Sequence, residues 1–135
     1  MNNPSREKIK NVLDHAKTIA VVGLSPNPSR TSYMVSEAMQ RAGYRIIPVN
    51  PQTDAVLGEK SYASLSDIPE KVDIVNVFRR SEFLEDIADE FVKIDCPVFW
   101  TQLNVVDENV FNRLADAGYT VIMDRCIKVE HAILK

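Results

Sequence analysis

Two hydrophobic rhythms alternate along this chain. Short, nearly continuous apolar runs are followed by stretches in which apolar residues recur every three or four positions. The first rhythm marks strands buried on both faces and the second marks amphipathic helices. Ile9, Val12, Leu13 and Ala16 predict a first helix that ends near Ala16. Ser5 is placed to cap it, with Lys8 rather than Glu at the capping-box position. Thr18 to Gly23 then reads as a buried strand, and Leu24 to Arg30 as a turn-rich loop. Tyr33, Val35, Ala38, Met39 and Ala42 mark the next helix, closed by Gly43.

The same grammar repeats. Tyr44 to Val49 is a strand in which Pro48, lacking an N–H, predicts an irregular or locally unpaired position. A turn at Leu57 to Lys60 and a short helical turn at Ser66 to Pro69 follow. Val72 to Phe78 is the third strand, and Phe83, Ile87, Ala88, Phe91 and Val92 mark its helix. Pro97 to Trp100 is the fourth strand. Val110, Phe111, Leu114 and Ala117 mark the next helix, with Asp107 as cap and Gly118 as its end. Tyr119 to Met123 is the fifth strand, and Cys126 to Leu134 a last helix with Asp124 as cap. Strands alternating with helices specify a parallel sheet covered on both faces. The simplest topology is a single α/β, Rossmann-like, doubly wound domain with a five-stranded parallel sheet.

Length and composition narrow the partners. The 135 residues suit one domain, taken as residues 1–135. With 45% hydrophobic and 26% charged residues, the chain has a globular balance rather than a disordered one. The net charge of −3 argues against a general nucleic-acid or anionic-membrane binder, although it permits a local basic pocket. No apolar run approaches a membrane span, and the N-terminal residues lack the apolar core of a signal peptide. Cys96 and Cys126 are too few for a disulfide framework and fit no zinc spacing, so free thiols in the cytoplasm are expected. The domain size is compatible with a homodimer, but no apolar stripe specifies an interface.

In an open parallel sheet, ligands bind beyond the carboxyl ends of the strands. The loops there carry unusual residues, including the only tryptophan, Trp100, and the only Arg-Arg pair, Arg79-Arg80. Gly23 to Tyr33 leads into a helix N-terminus, where backbone N–H groups favour an anion. Ser25, Ser29, Thr31 and Ser32 add hydroxyls, and Arg30 adds charge. The competing reading makes Thr31 or Ser32 a simple cap. Arg79 and Arg80 could neutralise phosphate or pair with Glu82 or Glu85. The dinucleotide fingerprint Gly-x-Gly-x-x-Gly is missing, and Val49-Asn50-Pro51 stands where an NAD site wants an acid. Hydride transfer is therefore disfavoured. Cys126 could be a thiol activated by a helix N-terminus and Arg125. His131 is turned away from it on a helix, which makes a dyad awkward.

Val21-Val22-Gly23-Leu24-Ser25, Pro28-Ser29-Arg30, Ser32-Tyr33, Ile47-Pro48-Val49-Asn50-Pro51, Val77-Phe78-Arg79-Arg80-Ser81 and Asp124-Arg125-Cys126-Ile127-Lys128 together resemble the small stand-alone CoA-binding proteins of bacteria and archaea. These are similar to the CoA-binding domain of the succinyl-CoA synthetase alpha subunit. The resemblance runs from about residue 5 to residue 134. It implies coenzyme A, or an acyl-CoA, held by its nucleotide end in the crevice at the strand ends. Carried over, Gly23, Leu24 and Ser25 would meet phosphates with Arg30, Ser32 and Tyr33. Val49, Asn50 and Pro51 would flank the ADP part, and Val77, Phe78 and Arg79 would form the next wall. Trp100 and Gln102 would lie toward the pantetheine arm. The family commonly has Pro where this chain has Thr31, and Gly where it has Asn104. The synthetase's second domain has no room here, so the resemblance implies binding without intrinsic catalysis. The alternative is an enzyme acting on an acyl-CoA or another nucleotide, with Cys126 or His131 reactive.

Overall fold

A computed structural model describes residues 2–134. Its elements follow the two rhythms. Helix α1 (Arg6–His15) starts at Ser5, whose hydroxyl accepts a hydrogen bond from the Lys8 N–H at 3.2 Å. Then come β1 (Thr18–Val22), α2 (Thr31–Arg41), β2 (Arg45–Val49) and β3 (Ile74–Val77). They are followed by α3 (Leu84–Phe91), β4 (Val98–Thr101), α4 (Glu108–Asp116), β5 (Thr120–Ile122) and α5 (Ile127–Leu134). No α-helix joins β2 to β3. The chain instead makes a short antiparallel hairpin, Ala55–Val56 with Glu59–Lys60, and a 3-10 turn at Leu65–Asp67. A second 3-10 turn, Ser81–Phe83, leads into α3.

The five strands form one parallel sheet in the order β2-β1-β3-β4-β5. This is the expected single α/β domain with helices on both faces. Alternation along the strands divides the core into two layers. Ile19, Val21, Ile74, Val98 and Trp100 pack with Ile9 and Leu13 of α1, Val35 and Met39 of α2, and Ile127 of α5. Ala20, Val22, Val75, Val77 and Phe99 pack with Leu84, Ala88 and Phe91 of α3 and with Val110, Phe111 and Leu114 of α4. Because β2 and β3 flank β1, the chain order reverses at β1. A crevice opens beside its carboxyl end, where α2 and the turn before α3 begin.

Two local expectations are revised. Pro48 lies in a regular strand, in register with Val21. The Arg45 N–H donates to the Lys17 carbonyl and the Val49 carbonyl accepts from Gly23, so odd-numbered residues face β1. The even-numbered Pro48 therefore turns its missing donor to the sheet edge. Its carbonyl there accepts from the Tyr62 N–H at 3.0 Å. Asp124 does not cap α5 with its side chain. Its backbone is left-handed, at φ 61°, and its carboxylate reaches the β4 loop instead. Among the described residues, no helix is long and apolar enough to cross a membrane.

At the amino end of β2, Arg45 holds Glu70 through two hydrogen bonds of 2.8 and 2.9 Å. The hydrogen bond from Arg45 pulls the Glu70 carboxyl below its ordinary range. A carboxylate depressed in the folded state stabilises the fold above its unfolded pKa and loses that contribution as pH falls through its folded value. The pair is partly exposed, so the effect is small. Glu70→Gln is expected to cost less than about 1 kcal/mol at pH 7. In urea melts, the gap from wild type should close as pH falls from about 4.5 through the lowered Glu70 value.

Candidate functional site

The crevice is organised around Gly23, one residue past β1. Its N–H donates to the Val49 carbonyl at 2.9 Å, while the Phe78 N–H donates to the Val22 carbonyl at 2.8 Å. The end of β1 is thus tied to both neighbours. Gly23 has φ 86°, and a Cβ there would lie 2.6 Å from the Phe78 carbonyl oxygen and 2.9 Å from Arg79 Cδ. The glycine is needed because the backbone leaving β3 crosses over it. That is a structural demand of the chain itself, additional to the expected close approach of a ligand.

The following loop is held by local bonds. Leu24 turns its side chain into the core, and its carbonyl accepts from Asn50 Nδ2 at 2.9 Å. The Asn27 side-chain oxygen accepts from the Ser29 N–H and hydroxyl, at 3.0 and 2.9 Å. The Ser25 N–H donates to the Ser32 hydroxyl at 3.0 Å, so Ser32 ties the loop to the helix rather than capping it. Arg30 occupies the cap position of α2 without a side-chain cap bond. The first N–H groups of α2 therefore have no side-chain acceptor, and the positive end of the helix dipole lies at Thr31 and Ser32, which line the crevice.

Two connected lobes open beside Gly23. Both are lined by Gly23, Ser25, Arg30, Phe78, Arg79 and Arg80. A lobe of about 510 Å³ continues along β2, to Val49, Asn50, Pro51, Gln52 and Phe83. A lobe of about 380 Å³ continues over β3 and β4, to Thr31, Ser32, Ser81 and the stretch from Gln102 to Val105. Three arginines thus face a lining that contains no aspartate or glutamate, in a chain of net charge −3. The Arg79 guanidinium carbon sits 4.3 Å from the Phe83 ring centre, and that of Arg80 sits at 5.4 Å. Arg80 also pairs with exposed Glu82 at 3.1 Å, as the competing reading expected. Among the described residues, neither Arg30 nor Arg79 pairs with a carboxylate. The crevice is therefore a locally positive surface, and a multiply charged anion is the chemistry it could accommodate.

The structure brings together ten of the residues expected at the site. Gly23, Ser25, Arg30, Phe78 and Arg79 line both lobes. Val49, Asn50 and Pro51 line the larger, and Ser32 and Gln102 the smaller. Asn50 is also a brace, since its side-chain oxygen accepts from the Gln52 N–H at 2.8 Å. The side chains of Leu24, Val77 and Trp100 are instead fully buried in the core and line neither lobe. Strand alternation sends Val77 and Trp100 into opposite core layers, and Trp100 Nε1 donates to the Arg125 carbonyl at 2.9 Å. Tyr33 packs against the α1-α2-α5 layer and lines neither lobe.

Cys126 is buried in that same layer, and His131 stands edge-on to Tyr44 with ring centres 5.7 Å apart. Neither lines a lobe, so the geometry does not join them to the crevice. Cys96 is buried beneath the sheet, where loss of water pushes its thiol up to about 12. Sequence reasoning missed Phe83, Gln52 and Val105 as lining residues. Phe83 fitted the periodicity of α3, yet it sits in the preceding 3-10 turn and holds the arginines. The available signal was its place directly after Arg79-Arg80-Ser81-Glu82.

A family model described as a CoA binding domain matches residues 17–132. The uncharacterized protein YneT of Bacillus subtilis (strain 168) is 57% identical over 135 residues, covering 100% of each chain. An ADP-forming acetate–CoA ligase, form II, of Archaeoglobus fulgidus is 29% identical over 80 residues. That match covers 58% of this chain and only 12% of the ligase. The solved structure of cell-free ID.343 from Thermus thermophilus superposes with a TM-score of 0.94 at 36% identity. It covers 98% of this chain and 100% of that one.

Two outcomes follow from the site's construction. Gly23→Ala is expected to destabilise the protein by about 2–5 kcal/mol in urea melts, because it combines a left-handed alanine with a clash against backbone. Cys96 is expected to resist a thiol reagent at pH 8 in the folded protein and to react fully once urea unfolds it, as read by intact mass.

Proposed function

The chain belongs to the CoA binding domain family, and from that premise we propose that it binds coenzyme A or an acyl-CoA by its nucleotide end in the crevice beside β1. The observation that carries the reading is the charge of the crevice. Arg30, Arg79 and Arg80 gather at the uncapped start of α2 with no carboxylate in the lining. A nucleotide carrying a diphosphate and a further phosphate is the ligand such a site suits. The β2-side lobe, with Val49, Asn50, Pro51 and Phe83, would take the adenosine part. The β4-side lobe, with Gln102, Leu103 and Val105, would take the neutral pantetheine arm.

Binding without catalysis is part of the proposal. The lining offers arginines, hydroxyls and amides, and the reactive candidates Cys126 and His131 lie off both lobes. The chain spans 12% of the Archaeoglobus ligase, so that protein's ligase activity is not carried over. Residues 1–135 would act as one binding domain. Its buried free thiols, Cys96 and Cys126, support a cytosolic setting.

Thermal-shift and calorimetric titrations with coenzyme A, acetyl-CoA, NAD and ATP test the reading. A specific binder must stabilise the fold by mass action, by about 2.7 kcal/mol at a hundredfold excess over Kd. Absence of a shift with either CoA species at millimolar ligand would defeat it. Loss of a charge-assisted contact predicts that Arg30→Glu weakens coenzyme A by about tenfold or more. Adenosine, which lacks phosphate, should bind the variant and wild type alike. Equal loss for both ligands would instead mean that the change had damaged the crevice.

A further inference from the structure

Asp124 sits outside both lobes, yet the loop that walls the smaller one depends on it. Asn104 and Asp124 both adopt left-handed backbone, with φ 66° and 61°. The two lie on the loops after β4 and β5, twenty positions apart in sequence. The Asn104 N–H donates to Asp124 Oδ1 at 2.7 Å. Fully buried Thr101 completes the link, because its hydroxyl accepts from the Asp124 N–H at 3.2 Å and donates to the Val105 carbonyl at 2.6 Å. From the other side, the Gln102 N–H donates to the Val77 carbonyl at 3.2 Å, and the Val106 N–H donates to the Ser81 hydroxyl at 2.9 Å. The stretch from Gln102 to Val105 has no helix or strand of its own; its one turn bond, from the Val105 N–H to the Gln102 carbonyl at 3.1 Å, is supplemented by these side-chain and loop bonds.

Left-handed backbone at a non-glycine residue persists where surrounding bonds over-determine it. Here two such residues face each other across one short bond, and the segment they hold presents Leu103, about half exposed, and Val105 to the smaller lobe. No carboxylate lines this lobe, and apart from Phe78, which it shares with the larger lobe, its apolar side chains come from this one loop. The larger lobe has none of this loop's residues in its lining.

We propose that Asp124 is a positioning residue that sets the preference for coenzyme A over its bare nucleotide part, by holding the β4 loop as a wall for the pantetheine arm. This rests on the coenzyme reading above. Asp124 acts through the Asn104 N–H and touches no ligand itself. The contribution it controls is therefore confined to the arm. Adenosine 3′,5′-bisphosphate, which has no arm, should be indifferent to it.

The experiment measures Kd for coenzyme A and for adenosine 3′,5′-bisphosphate by calorimetry on wild type and three variants. Asp124→Gly suits φ 61° and removes only the acceptor. Loss of one charge-assisted bond and of the ordered wall is expected to weaken coenzyme A about tenfold and leave the bisphosphate within twofold. Asp124→Asn keeps a side-chain oxygen and tolerates the left-handed backbone, so it should restore coenzyme A binding to within about twofold of wild type. Leu103→Ser, at the exposed loop tip, should likewise weaken coenzyme A alone. Hydrogen exchange at the Asn104 amide should accelerate in Asp124→Gly and stay slow in Asp124→Asn. If Asp124→Gly weakens both ligands equally or neither, the positioning role is overturned while the coenzyme reading stands. If wild type binds neither probe, the coenzyme reading falls and this inference falls with it.

Discussion

The close passage of the β3 exit over Gly23 is the constraint on which the crevice depends. One strand end is bonded to both neighbours, with Gly23 N–H on Val49 and the Val22 carbonyl on Phe78. Such a junction exists because β2 and β3 lie on opposite sides of β1. The two chains leaving β1 and β3 must then share a small space. The side chain at residue 23 is what gives way, since its Cβ would stand 2.6 Å from the Phe78 carbonyl. Arg79 follows at once and lays its aliphatic stem over the same glycine. The topology therefore delivers a positive charge to the strand ends, independently of the loop that carries Arg30.

Concentrating that charge has a cost that the surroundings offset. Three guanidiniums facing one crevice repel one another, and a folded protein usually relieves this with nearby carboxylates. Here Glu82 relieves Arg80 at the exposed rim, and Arg79 lies against the Phe83 ring at 4.3 Å. A stacked guanidinium keeps its charge and its donors, whereas a paired one has its donors occupied. Phe83 thus orders Arg79 without neutralising it. The uncapped start of α2 follows the same logic, since Arg30 stands at its cap position without a side-chain bond and the nearby Ser32 hydroxyl is engaged by Ser25. An anion gains from both features, and the free protein bears the cost of both.

The fold was largely legible because it is written in period. Each strand and each helix declares itself by where apolar residues recur, and β1 to β5 fall within a residue or two of the runs that announce them. The site was legible by position along the chain but not by direction. Trp100 and Gln102 are near neighbours at the same strand end and looked equally suited to a ligand. Inside β4 the pleat sends Trp100 into the α1-α2-α5 layer, whereas Gln102, just past the strand, lines the smaller lobe. Which face an inward residue meets depends on which helices cover that face, and local sequence does not state it. Phe83 failed for the opposite reason. It obeys a helical spacing, but the first turn of that helix is a 3-10 turn whose phase differs. Asp124 and Asn104 were read separately, one as a cap and one as a departure from glycine. Only the fold makes them partners.

The two lobes also divide the energetic work. The larger lobe is walled by β2 and its following loop, which Asn50 braces through Leu24 and Gln52. The smaller is walled by the β4 loop, which answers to Thr101 and Asp124. No residue beyond Gly23, Ser25, Arg30, Phe78, Arg79 and Arg80 lines both. Charge recognition is thus common to the whole crevice, while the shape of each lobe is set by a different strand end. A sheet with this order can retune one half of an elongated ligand's recognition by changing a single loop, without disturbing the bonds that hold the other. The shared arginines are the part that cannot be varied in this way, because the passage over Gly23 fixes where one of them stands.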